Sequence, residues 1–180
     1  MHGFVFQELK KYVVQKLGNA AWDMMTKKSH VEEKKYFPVN TYPDSEMESL
    51  LQAAAEITGN SRDEILEDFG AFLLPDLLRL YKPLLQPQWK TLELLENTER
   101  IMHTAVRYAD KNASPPALVC KRAGPSKVTI LYTSQRHMSA FGIGIIKAIG
   151  NYYGENLSVT TEPLHHEGKD GVSIHVEVIS

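Results

Sequence analysis

Apolar residues recur at helical spacing through the first two-thirds of the chain. The three- and four-residue steps between them predict amphipathic helices over residues 4–17, about 20–29, 44–58, 61 onward and about 88–110. Gly18 and Gly59 follow the first and third of these segments, where a glycine commonly ends a helix. The sequence "SRDE" at 61–64 matches a capping box, which marks the start of the fourth helix. Pro75 is expected to kink or end that helix.

The pattern changes in the last third, where short β-branched segments alternate with turn residues. It predicts strands over residues 115–122, 127–134, 157–162 and 171–179, and a helix over about 137–153. The order strand, strand, helix, strand, strand is typical of one four-stranded antiparallel sheet with a helix packed on it. We therefore expect one α+β domain over residues 1–180. A helical N-terminal lobe of about residues 1–60 would pack on an α/β lobe of about 61–180.

Composition and charge narrow the class of protein. Of the 180 residues, 43% are hydrophobic and 23% are charged, which is typical of a soluble globular protein. The 20 basic and 22 acidic residues leave a net charge of −2, without a basic block that would favour nucleic acid or an anionic membrane. One cysteine, Cys120, is too few for an internal disulfide or a Cys-rich metal site. With no signal-peptide pattern and no apolar segment approaching about 18 residues, we expect a cytoplasmic protein.

Polar side chains alternate in the stretch "LYTSQRHMSAFGIG" at 131–144. If this stretch is a strand, Tyr132, Ser134 and Arg136 point to the same face. Such a row is common on the solvent face of an antiparallel strand. It would also suit an anion clamp, because arginine can bind a carboxylate through two parallel hydrogen bonds and the hydroxyls can donate to neighbouring oxygens. Both interpretations remain open at this point.

His103 lies beside an apolar stripe in "ERIMHTAVRYA", with Met102 and Val106 as neighbours and Glu99 continuing the stripe upstream. A histidine in this setting is more often a hydrogen-bonded core residue than a metal ligand. No histidine or carboxylate follows at i+3 or i+4 to complete a metal pair. If His103 binds a metal, the pattern favours a macrocycle that brings its own four nitrogens, because haem iron commonly needs one axial histidine.

Motifs of other activities are missing from the sequence. There is no G-x-S-x-G elbow, no H-E-x-x-H and no glycine-rich phosphate loop. The pair His165–His166 is weak support for a metal site. A hydrolase or a nucleotide-dependent enzyme is therefore not indicated, and we do not expect an enzyme.

Taken together, these residues resemble the haem nitric oxide/oxygen binding (H-NOX) family, which includes the N-terminal sensor region of the soluble guanylate cyclase β subunit and stand-alone bacterial sensors. Tyr132, Ser134 and Arg136 match its Y-x-S-x-R signature, and His103 stands 29 residues before Tyr132. "SPP", ending at Pro116, resembles the proline that follows the family's histidine helix. "MHGFV", "AAAEITG" and "DFGAFL" resemble its helical segments, so the resemblance covers essentially the whole chain.

The resemblance implies a role for each of these residues against haem b. His103 would be the axial ligand of the iron, Tyr132, Ser134 and Arg136 would hold the two propionates, and Pro116 would press on the macrocycle. Phe141 falls where oxygen-binding members have a tyrosine, Leu73 or Leu74 near a supporting polar residue, and Leu9 near an aromatic one. The expected haem contacts are completed by Met102, Val5, Leu73, Leu74, Phe141, Ile145 and Ile149.

The implied function is gas sensing. Nitric oxide and carbon monoxide would bind ferrous haem opposite His103, with oxygen excluded, and for nitric oxide the bond to His103 would lengthen or break. The resulting conformational change would signal to a separate partner, such as a histidine kinase or a cyclic-di-GMP enzyme. The alternatives are a haem-free relative that acts as an apolar-ligand or protein-interaction module, and an enzyme. A strong Soret band in the purified protein would separate the first interpretation from the second.

Overall fold

The helices of the chain were located in a computed structural model that describes residues 1–31, 34–111, 113–166 and 169–179. Ser61 and Glu64 form the predicted capping box at the start of the fourth helix, through reciprocal bonds between side chain and backbone. A 3₁₀ turn at Lys82–Leu84 follows that helix, and a π-helical turn at Glu99–His103 joins the fifth to the sixth. The α-helices of the described residues are α1 (Gly3–Leu17), α2 (Asn19–Lys28), α3 (Asp44–Thr58), α4 (Arg62–Tyr81), α5 (Thr91–Thr98), α6 (Thr104–Ala109) and α7 (Ser139–Tyr153).

Four antiparallel strands form one sheet in the described part of the chain. They are β1 (Ala117–Gly124), β2 (Lys127–Thr133), β3 (Asn156–His166) and β4 (Lys169–Ile179), in the spatial order β1-β2-β4-β3. Alternation along β2 and β4 buries one face of the sheet, with Val128, Ile130, Ile174 and Val176 almost inaccessible to solvent. These residues pack in one cluster with Ile146 and other residues of α7, so the helix covers the apolar face of the sheet.

The buried apolar residues divide into two clusters. One is formed by α1, α2, α3 and the first half of α4, and includes Phe6, Leu50 and Phe69. The other joins the inner face of the sheet to α5 and α7, and includes Leu74 from the second half of α4. Helix α4 therefore contributes to both clusters and connects the N-terminal helices to the sheet.

Close packing of α4 against α7 depends on two glycines. A Cβ atom at Gly70 would collide with the backbone oxygen of Phe141, and one at Gly144 would collide with the backbone oxygen of Glu67. Two helices can approach to this distance only where a side chain is missing from the contact. The glycines thus place Phe141, on α7, close to the helix that carries Leu73.

The predicted α+β class and four-stranded antiparallel sheet are confirmed, with differences in detail. Pro75 does not end α4, which continues to Tyr81. The helix predicted over about 88–110 begins at Thr91 and is interrupted by the π turn. None of the helices in the described ranges is long and apolar enough to cross a membrane.

The strands also differ from their predicted bounds. Strand β2 ends at Thr133, one residue before the predicted end. Strand β3 runs on through His166, and β4 begins at Lys169 rather than at 171. Residues 167–168 of the predicted connection lie outside the described residues.

Candidate functional site

A cavity of about 680 Å³ lies where α1, α4, α5, α6 and α7 meet the buried face of the sheet. All the residues predicted from the sequence to contact a haem line it, namely His103, Tyr132, Ser134, Arg136, Pro116, Met102, Val5, Leu73, Leu74, Phe141, Ile145 and Ile149. They are far apart in the sequence, and the fold brings them to one place. Leu9 is instead fully buried in the N-terminal cluster.

His103 is the last residue of the π turn between α5 and α6. Its side chain is 17% exposed, and Nδ1 lies 2.8 Å from the carboxylate Oε2 of Glu99. Burial lowers the pKa of His103, although Glu99 and the backbone carbonyl of Pro116 favour the charged form. The imidazole is therefore neutral at neutral pH. Because Nδ1 is committed to Glu99, Nε2 is the nitrogen left to bind a metal.

Glu99 begins the same π turn, and its carboxylate links that turn to α6 and to β1. Besides His103, its carboxylate accepts a hydrogen bond of 2.8 Å from the guanidinium of Arg107 and one of 3.1 Å from the backbone N–H of Leu118. Burial alone would raise the pKa of Glu99, but the bonds from His103 and Arg107 outweigh it and hold the pKa below its usual value. The sequence signal was the four-residue step to His103, which puts both side chains on one side of a helix. The apolar spacing by itself places Glu99 in the stripe and gives it no role at the imidazole.

Tyr132, Ser134 and Arg136 lie at one edge of the cavity, but not as a strand row. Tyr132 is buried near the end of β2, whereas Ser134 and Arg136 lie in the turn that follows. The turn is held by a bond of 3.2 Å from the backbone N–H of Arg136 to Ser134 Oγ. The expected alternation along a strand is therefore wrong beyond Thr133, because the chain turns there to start α7.

The guanidinium of Arg136 has hydrogen-bonding capacity left over. It donates to the backbone oxygen of Ser114, and its Nε lies 2.9 Å from Asp44 Oδ2. That ion pair is close but poorly aligned, since no acceptor among the described residues meets the buried Nε–H in hydrogen-bond geometry. A buried donor without an acceptor costs stability, so this edge suits an anionic ligand.

Arg62 supports this turn and was missed by the sequence analysis. Its guanidinium binds both carboxylate oxygens of Glu48 at 2.8 Å, and donates to the backbone oxygens of His137 at 2.9 Å and Arg136 at 3.3 Å. His137 has φ of 50°, a left-handed conformation that is uncommon for residues other than glycine. The sequence signal at 61–64 indicated a helix start, and only the fold shows that Arg62 also reaches a turn about 75 residues away.

The wall around Phe141 contrasts with that of His103. Leu73, Phe141 and Ile145 supply only carbon atoms to it, and the ring of Phe141 lies 5.1 Å from that of Phe69. The nearest donor along α4 is Tyr81, which also lines the cavity but lies seven residues beyond Leu74, or about 10 Å along the helix axis. The sequence analysis did not single out Tyr81.

The arrangement fits a haem. The described residues contain no group of three or more His, Cys, Asp or Glu side chains that could hold a metal ion by themselves. An iron that brings its own four nitrogens needs one neutral imidazole, apolar walls and donors for its carboxylates. Those three requirements are met by His103, by the leucine, isoleucine and phenylalanine side chains, and by the edge with Tyr132, Ser134 and Arg136.

Comparison with solved structures gives the same fold. A crystal structure of an H-NOX protein from S. oneidensis in the Fe(II)NO ligation state has a TM-score of 0.90 and 19% sequence identity, with 100% of both chains covered. The Fe(II) unliganded H-NOX protein from K. algicida has a TM-score of 0.90 and 25% identity, covering 100% of this chain and 97% of that chain. A variant of the H-NOX protein from T. tengcongensis has a TM-score of 0.89 and 21% identity, covering 100% and 98%.

Of the two sequence comparisons, one found no match and the other identified a family. No curated protein sequence matches the chain. The family model described as haem-NO-binding matches residues 2–161, which is most of its length. The chain therefore belongs to the haem-NO-binding (H-NOX) family, the family of haem-based gas sensors that its sequence resembles.

Proposed function

We propose that this chain binds haem b through His103, senses nitric oxide and carbon monoxide while excluding oxygen, and signals to a separate partner without catalysing a reaction. The observation that carries the proposal is the convergence on one cavity of the largely buried imidazole of His103, whose pKa is lowered, and the guanidinium of Arg136. When bound, the haem would be held by His103 and would supply a ferrous iron able to bind a diatomic gas.

The polar edge supports a ligand with two carboxylates. Arg136 offers a charged donor, and the hydroxyls of Tyr132 and Ser134 lie on the same cavity lining. A guanidinium adds a positive charge and several N–H donors to what a hydroxyl offers, so Arg136 would contribute most to holding the propionates. Arg62 would keep the turn in place, because its guanidinium holds the backbone oxygens of Arg136 and His137.

The apolar wall supports the choice of gas. Oxygen bound to ferrous haem takes on partial negative charge and is stabilised by a nearby hydrogen-bond donor, which nitric oxide and carbon monoxide need much less. Leu73, Phe141 and Ile145 have no such donor. Tyr81 is the lining donor on the same helix as Leu73, and its distance along α4 argues against a role at the gas.

The position of His103 supports signalling by displacement. The residue lies in a π turn, a helix irregularity that is frequent at functional sites. From there α6 leads towards Asp110, whose carboxylate accepts a hydrogen bond of 3.1 Å from Thr41 in the N-terminal part of the chain. A shift of His103 would thus be transmitted through α6 to the N-terminal part of the chain, and from there to the protein surface. A histidine kinase or a cyclic-di-GMP enzyme, in the cytoplasm, is our proposal for the partner.

The spectrum of the purified protein tests the proposal. A Soret band, or its appearance when the haem-free chain is mixed with haem, is expected. The dithionite-reduced and desalted protein should then change spectrum with nitric oxide and with carbon monoxide, and should form no stable oxygen complex in air. A colourless protein that cannot be reconstituted would contradict haem binding and favour a haem-free relative that binds apolar ligands or proteins.

A further inference from the structure

The carboxylate of Glu99 stands directly behind the imidazole of His103. Its Oε2 lies 2.8 Å from Nδ1 of His103 and also accepts the backbone N–H of Leu118, while Oε1 accepts the guanidinium of Arg107. The three donors come from the π turn, from β1 and from α6. One carboxylate therefore fixes the imidazole to two neighbouring elements at once.

The contact with Glu99 favours the tautomer of His103 that carries its proton on Nδ1. An ionised carboxylate can only accept hydrogen bonds, so the proton between the two groups belongs to Nδ1. The lone pair of a neutral imidazole is then on Nε2, the nitrogen that would face a metal. A carboxylate behind a metal-bound histidine also makes the histidine a more basic ligand, which strengthens the bond to the metal.

We infer that Glu99 is the positioning residue of the axial histidine, setting the tautomer of His103 and the strength of its bond to iron. This inference rests on the proposed haem binding. Beyond haem binding, Glu99 would control how readily the bond between His103 and the iron breaks when a gas binds. Glu99 itself lies outside the cavity lining. Arg107 shares the carboxylate and would moderate that control by neutralising part of its charge.

A second glutamate provides the matched control. Glu96 lies three residues before Glu99, and its carboxylate oxygens are 2.9 and 2.7 Å from the guanidinium of Arg122. Both are partly exposed helix glutamates that pair with an arginine, but the bond to His103 belongs to Glu99. Loss of charge at Glu96 therefore has the general cost of losing an ion pair, but it leaves the hydrogen bond of the His103 imidazole unchanged.

The first experiment uses the haem-free chain. The ¹⁵N chemical shifts of the imidazole of His103 report which nitrogen is protonated. We expect the Nδ1–H tautomer in wild type and in Glu96→Gln, and a mixture of both tautomers in Glu99→Ala. If wild type carries its proton on Nε2, the inference is wrong. Circular dichroism of each variant shows that it is folded, and Glu99→Leu, which fills similar space without an acceptor, replaces Glu99→Ala if that variant is not.

The second experiment uses the haem-bound chain and measures the iron–histidine stretching frequency of the ferrous form by resonance Raman spectroscopy. Glu99→Gln keeps an acceptor for Nδ1 but removes the charge, so the frequency should fall and a larger fraction of the nitric oxide complex should lack the histidine. Arg107→Gln leaves the carboxylate with more of its charge, so the frequency should rise. If Glu99 had only a structural role, the stretching frequencies of the two variants would not change in opposite directions.

The outcomes separate the two claims. Equal frequencies in wild type and Glu99→Gln, or a fall in both Glu99→Gln and Arg107→Gln, would overturn the role of Glu99 and leave the proposed haem binding intact. Failure of the wild-type chain to take up haem would instead contradict the proposed function. The tautomer measured in the haem-free chain does not depend on that result.

Discussion

The two walls of the cavity are built on different principles. The wall that carries His103 has a polar layer on the side away from the cavity. There Glu99 accepts hydrogen bonds from the imidazole, from Arg107 and from the backbone of β1. The wall that carries Phe141 is apolar throughout its packing, with the ring set against Phe69 in the N-terminal cluster.

The difference follows from what each wall has to position. A partly buried imidazole and carboxylate are most stable when their donors and acceptors are satisfied, which defines their orientation closely. Apolar side chains need only fill space, so the wall around Phe141 offers a shape and no donor. On our proposal the first wall binds the cofactor and the second selects the gas.

The largest effect is expected from removing the polar group that faces the cavity. His103→Gly deletes the proposed iron ligand, so haem should be lost, or retained only when free imidazole fills the gap. Haem content after purification, with and without imidazole, measures this. Normal haem content and an unchanged ferrous spectrum without imidazole would rule out His103 as the ligand.

The next largest effect is expected at the polar edge. Arg136→Ala should weaken haem binding by about 1.5 to 3 kcal/mol, the range for a hydrogen bond to a charged group. That corresponds to roughly 10- to 150-fold in affinity. Ser134→Ala should cost less, because its hydroxyl offers one uncharged donor, whereas the guanidinium of Arg136 offers a positive charge and several donors. The rate of haem transfer to an excess of a haem acceptor compares them, and equal rates in wild type and Arg136→Ala would contradict the clamp.

Introducing a donor into the apolar wall should change gas selectivity. Phe141→Tyr places a hydroxyl on that wall, and a hydrogen bond there is worth about 1 to 3 kcal/mol. Oxygen affinity should therefore rise by roughly 5- to 150-fold, although stable oxygen binding would need a second polar residue to orient the hydroxyl. Oxygen titration of the ferrous protein measures the change.

Tyr81→Phe is the matched variant for that experiment, because it removes a hydroxyl that already lines the cavity. It should leave the response to oxygen unchanged. A persistent oxygen complex in wild type that disappears in Tyr81→Phe would show that Tyr81 reaches the gas and that the apolar wall does not decide selectivity.

The packing that positions Phe141 should be sensitive to one methyl group. Gly144→Ala places a Cβ against the backbone oxygen of Glu67, so α4 and α7 must separate. Overpacking of this kind typically costs about 1 to 3 kcal/mol of folding stability. Gly142→Ala, on the same helix, meets only the ring of Tyr132 at an ordinary 3.6 Å and should be neutral or slightly stabilising. Urea unfolding of the haem-free chain measures both, and equal losses would contradict the close contact at Gly144.

The smallest effect is a pH dependence of the haem-free chain. Burial holds the pKa of His103 below its usual value, so the unfolded chain binds a proton more readily than the folded one. This contribution to stability is complete above the unfolded pKa of about 6.5 and is lost as the pH falls through the folded pKa. His103→Gln should therefore lose less stability than wild type on acidification below that pH. Equal slopes of unfolding free energy against pH would contradict the burial of a neutral imidazole.

The elements and the main chemistry of the cavity could be predicted from the sequence. Periodicity predicted the helices and the four-stranded sheet, because burying one face of an element imposes a local repeat that can be read directly. The resemblance carried by His103, Pro116 and the Tyr132-x-Ser134-x-Arg136 signature identified the family, which the match over residues 2–161 shows. It also named several of the apolar side chains that line the cavity.

How those side chains are held is visible only in the folded chain. The turn of Ser134 and Arg136 out of β2, the reach of Arg62 to that turn and the meeting of Glu99 with Leu118 of β1 join residues that no local repeat connects. Nor does the sequence reveal that Gly70 and Gly144 face backbone atoms of a partner helix. Hydrophobic periodicity reports which face of an element is buried, whereas the partner on that face depends on how separate elements are brought together when the chain folds.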